Sequence, residues 1–216
     1  DRETLEKYHE GIIALSACLA GEVPKYLARG MYEEAKEIAL WHESCFGKGN
    51  YFLELQDHGL AEQSMVNQQL VRLSRETGIG LVATNDIHYT YDSDAEAHDI
   101  LLCIQTGKKL SDENRMRYEG GQYFVKSEEE MRGLFPYAPE AIENTAKIAE
   151  RCHVEIEFGV TKLPHYEVPE GYDSWTYLNK LCFEGLERRY GDRAEELKPR
   201  LEYELGVIRS MGYVDY

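Results

Sequence analysis

The sequence predicts an α/β protein built on parallel strands, and three observations carry that prediction. Short apolar runs occur at residues 12–19, 51–55 and 79–83, each bounded by glycine or polar turn residues. Segments with apolar residues at helical spacing separate them. Each run also exits into polar residues able to bind a cation. A strand, helix, strand, helix, strand order implies parallel pairing with right-handed crossovers, and the spacing fits an α/β barrel, whose working residues collect where the strands end.

The first run, Ile12-Ile-Ala-Leu, turns small and polar at Ser16 to Cys18 and reaches Gly21, as a buried strand and its exit loop would. From Met31 to Phe46, Tyr32, Ala35, Ile38, Ala39 and Phe46 make one helical face, and Gly47 is the stop. Tyr51 to Leu55 is the second strand, and Met65, Val66, Leu70 and Leu73 mark a helix ending near Gly78. Ile79 to Ala83 is the third strand. Asp92-Ser-Asp-Ala-Glu then caps a helix through Ala97, Leu101 and Ile104 to Gly107. Lys108 to Gln122, with Lys108, Lys109, Arg115 and Arg117, reads as a solvated loop, and Tyr123-Phe-Val as a short strand.

Ser127 and Glu130 form a capping box, and Pro139 opens a helix whose expected buried stripe is Ile142, Ala146, Ala149 and Cys152. Pro164, Pro169 and Gly171 punctuate an extended stretch, Val160 to Tyr172, the expected domain boundary. Beyond it, Asp173 or Ser174 caps a helix with Trp175, Leu178, Cys182 and Leu186 facing inward, stopped by Gly191. A last helix, Pro199 to Met211, sets Leu201, Leu205 and Ile208 on one face, with Gly212 as its C-cap.

Composition narrows the function classes. The chain has 216 residues, 43% hydrophobic, with a formal net charge of −16. That balance repels a phosphate backbone on average, so a stand-alone DNA clamp is excluded unless cations or one basic face meet the phosphates. No stretch approaches the roughly 18 consecutive apolar residues of a membrane span, and no signal peptide opens the chain, so a soluble cytoplasmic protein without a membrane partner is expected. Five cysteines without a Cys-x-x-Cys exclude a disulfide framework and a zinc ribbon. Four of them read as buried thiols, with Cys18 set apart by its place after the first strand. There is no P-loop and no Gly-x-Ser-x-Gly elbow. The start at Asp1 and the stop inside an apolar-patterned stretch lead us to expect a piece of a longer protein.

Asp86 and His88 are two residues apart, so on a continuing strand they leave the same face, and a carboxylate beside an imidazole suits a divalent metal. The alternative is that Asn85 and Asp86 make a turn and His88 is a satisfied polar residue. Asp57 and His58, after the second strand, are possible residues of the site rim, or simply a helix-entry turn. His98 reads as a surface or packing histidine.

Four blocks then carry a family resemblance. They are Tyr51-Phe-Leu-Glu-Leu-Gln-Asp-His-Gly-Leu, Asn85-Asp-Ile-His-Tyr, Ala95-Glu-Ala-His-Asp-Ile-Leu-Leu-Cys-Ile-Gln-Thr-Gly and Leu205-Gly-Val-Ile-Arg-Ser-Met-Gly-Tyr. In this order they closely resemble the bacterial replicative DNA polymerase III α-subunit family. The resemblance implies that residues 1–157 are the C-terminal part of a PHP (polymerase-and-histidinol-phosphatase) domain, a distorted, TIM-like α/β barrel present here only in part. Residues 158–216 would begin the palm as a mainly helical segment.

The metal ligands it maps onto this sequence are Cys18, in Leu15-Ser-Ala-Cys-Leu-Ala-Gly-Glu, with Asp86 and His88. Zinc is the metal implied for this site, serving 3′-to-5′ exonuclease chemistry. The family's upstream ligands, and the palm aspartates that hold magnesium for polymerisation, have no counterpart in this stretch. The piece alone is therefore expected to be inactive, and any self-association of it to say nothing of the parent. For the parent, the resemblance implies DNA primer-template and deoxynucleoside triphosphates as substrates, and the replication clamp and other holoenzyme subunits as partners. The other readings are a free-standing PHP phosphoesterase acting on a small phosphate ester and a non-catalytic PHP scaffold.

Overall fold

The computed structural model describes residues 1–160 and 162–216; Thr161, inside the expected boundary segment, lies outside the described residues. The chain divides into two compact units, Asp1–His153 and Val154–Tyr216.

The first unit is organised by a three-stranded parallel sheet in the order β1 (Ala14–Leu15), β2 (Tyr51–Leu55), β3 (Gly80–Ala83). Ala14 pairs with Tyr51, and Phe52 to Leu55 pair with Gly80 to Ala83. All five β2 residues are buried, as expected of a parallel strand covered on both faces. Side-chain alternation divides β2 and β3 between those faces. Tyr51, Leu53, Leu55, Leu81 and Ala83 belong to the main apolar core. Phe52, Glu54, Val82 and Thr84 fall on the other side.

Helices cover the apolar face. Between β1 and β2 run α2 (Glu22–Ala28) and α3 (Tyr32–Phe46), and between β2 and β3 runs α4 (Ala61–Thr77). Val23, Leu27, Ala35, Ile38, Val66, Leu70 and Leu73 form one cluster with the sheet residues. Gly78, left-handed at φ 80°, ends α4, and Ser74 Oγ donates to Ile79 O at 2.6 Å to set the entry into β3. After β3 come α5 (Ala95–Thr106), α6 (Glu128–Leu134) and α7 (Pro139–Arg151). The Ser127–Glu130 capping box forms as expected, and Pro139 opens α7. Asn144 Nδ2 on α7 donates to Leu81 O at 2.7 Å, tying that helix to β3.

Several expectations are corrected. A first helix, α1 (Arg2–Tyr8), capped by the Asp1 carboxylate, and α2 were not legible in the sequence. The sequence assigns no element to residues 22–28; Pro24 is a weak helix former, yet in the first turn of a helix its missing N–H costs no hydrogen bond. The first strand shrinks to two residues, Ala14 and Leu15, paired with Tyr51 and Phe52. Tyr123-Phe-Val makes no regular strand: Phe124 forms a single bridge with Tyr89. On α7 only Ala141 and Ile142 are buried, and of the four cysteines expected inside, only Cys103 is; Cys152 is exposed.

The second unit is a helical pair, α8 (Ser174–Tyr190) and α9 (Ala194–Ser210). Asp173 caps α8 through Thr176 N at 2.7 Å. Helix α9 starts ahead of Pro199, which lies inside it, and Leu205 is its deeply buried residue. The Arg209 guanidinium lies 4.6 Å over the Trp175 ring.

One position in the first unit makes a strict demand. Gly21 begins α2 so close to the β1 exit that a Cβ there would sit 2.3 Å from Ser16 O and 3.0 Å from Cys18 O, both backbone atoms that cannot step aside. Gly21→Ala is expected to lower the unfolding free energy by about 1–3 kcal/mol, the usual range for overpacking, as read by chemical denaturation.

Candidate functional site at the strand exits

The three strands release their chains on one rim: Ser16-Ala17-Cys18 after β1, Gln56-Asp57-His58 after β2, and Thr84-Asn85-Asp86-Ile87-His88 after β3. The two non-glycine residues with left-handed backbone among the described residues both lie here, Ala17 at φ 63° and Asp86 at φ 43°. Such conformations cost about 1 kcal/mol or more and persist where surrounding contacts over-determine them.

At the β3 exit the strand has already ended at Ala83 and Asp86 is left-handed rather than extended, yet His88 Nε2 stands 3.4 Å from Asp86 Oδ1, so the two side chains meet across a turn and not on one face of a continuing strand. The His88 N–H donates to Tyr123 O at 2.9 Å, and Val125 N donates to Thr90 O, so 123–125 braces this exit. Around the His88 ring stand Tyr118, His98 and Tyr123, with centroids at 4.3, 5.6 and 5.7 Å. His98 is thus part of the rim's aromatic packing rather than an isolated surface residue. The loop carrying Tyr118 is held down by Arg115, whose guanidinium forks onto Asp99 at 2.5 and 2.6 Å and holds that carboxyl below the usual range. Arg115 is therefore spoken for, so the loop expected to be solvated is pinned at this point.

At the β2 exit, His58 lies beneath the rim, only 2% exposed. Its Nε2–H donates to Asn85 O at 2.8 Å, and its Nδ1 accepts from Gln63 Nε2 at 2.8 Å. Its ring stacks on Tyr123 at 3.9 Å. His58 therefore locks the β2 and β3 exits together. Asp57 caps its own turn by accepting from Gly59 N at 2.9 Å. Lys126, over the Phe124 ring, donates to Asn85 Oδ1 at 3.3 Å; burial lowers its pKa.

Cys18, at the β1 exit, is half-buried. Tyr123 relates it to the Asp86 side: burial first, then the charges of Asp86 and Cys18 among its neighbours, raise the pKa of this tyrosine. Sequence reasoning missed Glu54. This carboxylate, 9% exposed on the central strand, accepts from Ala17 N at 3.0 Å and from Gln56 Nε2 at 3.0 Å, and takes the Thr84 hydroxyl hydrogen bond as well. The one available signal was a charged residue inside the apolar run Tyr51-Phe-Leu-Glu-Leu.

The donor chemistry fits one side of a divalent-metal site, a hard carboxylate oxygen beside an imidazole nitrogen. Among the described residues, however, no three of His, Cys, Asp and Glu gather into a group that could hold a metal ion. Asp86 and His88 come together; Cys18 faces the same rim outside that pair. A complete centre would need ligands beyond those assembled here.

Comparison with known proteins places the chain among its relatives. A family profile described as the PHP domain matches residues 1–58, which covers β1, β2 and their exits. A protein of Borreliella burgdorferi named DNA polymerase III subunit alpha is 45% identical over 218 residues, taking in 100% of this chain and 19% of the relative. This chain is related to DNA polymerase III subunit alpha along its whole length. The Treponema pallidum protein of that name is likewise 45% identical over 100% of the chain and 18% of the relative, and that of Thermus aquaticus 42% identical over 91% and 16%. The chain thus spans about a fifth of the length of the alpha-subunit relatives it matches. No helix among its described residues is long and apolar enough to cross a membrane.

The His58 lock has a pH signature. Burial keeps this imidazole neutral by lowering its pKa, whereas in the unfolded chain it takes a proton near its ordinary 6.5. The lock's contribution is therefore complete above 6.5 and declines as the pH falls below it, and His42, also lowered by burial, adds to the decline. Denaturant unfolding across about pH 5 to 8 should show this fall. In His58→Leu the fall becomes shallower, while stability at neutral pH drops by about 1–3 kcal/mol because Asn85 O loses its buried donor.

Proposed function

We propose that this chain is part of the DNA-synthesising subunit of a bacterial replicative polymerase. Residues 1–157 are the C-terminal part of its PHP domain, and β1, β2 and β3 belong to a distorted α/β barrel. Residues 158–216 begin its palm. The observation that carries this reading is similarity to alpha subunits from one end of the chain to the other, across both compact units, at 45% identity. A free-standing phosphoesterase would not be expected to keep that similarity through the helical pair α8 and α9.

In the parent, template-directed nucleotidyl transfer on a primer-template, with deoxynucleoside triphosphates and magnesium, belongs to palm residues outside this stretch. Clamp and holoenzyme contacts are properties of the parent as well. The rim described above serves a second activity, metal-dependent 3′-to-5′ exonuclease chemistry. Asp86 and His88 are two of its ligands and Cys18 a third, the sulfur favouring zinc over magnesium. When bound, such a metal would lower the pKa of an attacking water. The chain's own residues orient the ligands: Tyr123 O fixes the His88 backbone, and the His58–Asn85 bond holds the turn before Asp86. Because the three ligands are not gathered into a group in this chain, it is inactive alone, and the missing ligands lie elsewhere in the parent.

One observation favours a second reading, a PHP domain kept as a scaffold: no three potential ligands converge among the described residues. The experiment that separates the two measures zinc content and excision of a mismatched primer terminus in the full-length protein and its His88→Ala variant. Loss of both by about tenfold or more in the variant is the expected result. Wild-type protein free of zinc, or a variant with unchanged excision, would establish the scaffold.

A further inference from the structure

Glu54 is an unusual residue to find in the middle of a buried parallel strand. A carboxylate taken out of water is costly unless its oxygens are satisfied, and a cation is the ordinary partner. Glu54 makes no salt bridge with a cation among the described residues. Its partners are neutral donors, and they come from all three strand exits. Oε2 accepts from Ala17 N at 3.0 Å, at the residue whose left-handed backbone turns the chain into Cys18. Oε1 accepts from Gln56 Nε2 and from the Thr84 hydroxyl, and Gln56 Nε2 also reaches Thr84 Oγ1 at 3.2 Å. The Glu54 backbone N–H meanwhile donates to Ser16 Oγ at 2.8 Å. Beside this network, toward α2 and α4, lies a small cavity of about 10 Å³ whose lining includes Cys18, Glu54, Gln56, Pro24 and Val66, and the buried Gln56 Oε1 has no hydrogen-bond partner among the described residues.

We infer that Glu54 is a positioning residue: its buried carboxylate holds the Ala17–Cys18 turn against the Thr84–Asp86 exit, and so sets where the Cys18 sulfur stands relative to the Asp86–His88 pair. The inference rests on the metal-site reading of Cys18, Asp86 and His88 given above. Two features of the geometry support it. The carboxylate holds the left-handed Ala17 directly through its N–H and, through Thr84, the exit that turns left-handed two residues later at Asp86, and a charged acceptor is a strong means of holding a backbone N–H in such a turn. The carboxylate also needs both oxygens as acceptors. Glutamine has the same shape but is neutral and replaces one oxygen with a donor: turned toward Ala17 N that donor meets another donor, and turned the other way it is accommodated only if the Thr84 hydroxyl and the Gln56 amide reorient to accept, while the charge that holds Ala17 N is lost.

The test uses the full-length protein and compares wild type, Glu54→Gln, Thr84→Val and His88→Ala. Zinc affinity is measured by chelator competition, the thiolate-to-metal charge-transfer band in cobalt-substituted protein, and the thermal midpoint without metal. Glu54→Gln is expected to weaken zinc binding by about 10–100-fold, the range for residues that orient ligands, and to diminish the cobalt–thiolate band while the metal-free protein stays folded. A purely structural role would move the midpoint and leave the band of the folded protein unchanged, which would overturn the inference. If Glu54→Gln does not fold, Thr84→Val decides: it cuts only the β3 side of the network, and zinc bound as tightly as in wild type overturns the inference, whereas weaker binding by folded protein supports it. The two levels of failure separate cleanly. Wild-type protein without zinc, or His88→Ala with unchanged zinc, overturns the proposed metal site itself; zinc in wild type held equally by Glu54→Gln overturns the role of Glu54 alone.

Discussion

The first unit depends on one interaction at the centre of its sheet, a buried carboxylate satisfied by donors from three strand exits. Backbone pairing aligns β1, β2 and β3 along their lengths, but it ends where the strands end. Beyond that point the exits are held by side chains. Glu54 reaches Ala17 on one side and Thr84 on the other, while His58 reaches Asn85 below the rim. Both residues come from β2 or its exit, so the central strand, the most buried element, locates the outer two. A polar network of this sort specifies geometry more tightly than apolar packing does, because its hydrogen bonds are directional.

The opposite side of the rim is built from rings. Tyr123 lies flat on His58 and edge-on to His88, and Tyr118 and His98 close the group. These rings come from four separate segments, and the Arg115–Asp99 fork pins the loop that brings Tyr118 in. His88 is therefore held through its backbone by Tyr123 O and enclosed through its ring, with Nε2 turned toward Asp86. An imidazole held from two sides has little rotamer freedom left to lose on meeting a ligand.

A chain of net charge −16 related to DNA-synthesising enzymes is less paradoxical in this light. The cations that remain near the rim are few, since Arg115 is neutralised by Asp99 and Lys126 is committed to Asn85 and Gln122. A bound divalent ion, rather than a basic face, is the physical means by which such a surface would meet phosphate. The second unit, with its capped helix α8 and the Trp175–Arg209 contact, is held by its own local packing.

Much of this was legible before any coordinates, and the reasons are local. Strand β2 and helices α3 and α4 follow from apolar period and from Gly47 and Gly78 at their ends; the Ser127–Glu130 box and the Asp173 cap follow from hydrogen bonds spanning three residues. The nearness of Asp86 and His88 was legible, but the two meet across a turn with Asp86 left-handed, not on one face of a continuing strand. Helix α2, with the weak helix former Pro24 in its first turn, was not legible, and the burial of cysteines was overestimated because residue type alone does not say which face a helix turns inward. The sequence by itself determined the parallel α/β plan, the kinship with polymerase subunits and the types of side chain available at each exit. Only the tertiary structure decided that Glu54 binds Ala17 and Thr84, that His58 is a lock under the rim, and that Cys18 stands apart from the Asp86–His88 pair. Those outcomes join residues about 30 to 70 positions apart, whose meeting depends on crossover geometry and burial rather than on any pattern within a single segment.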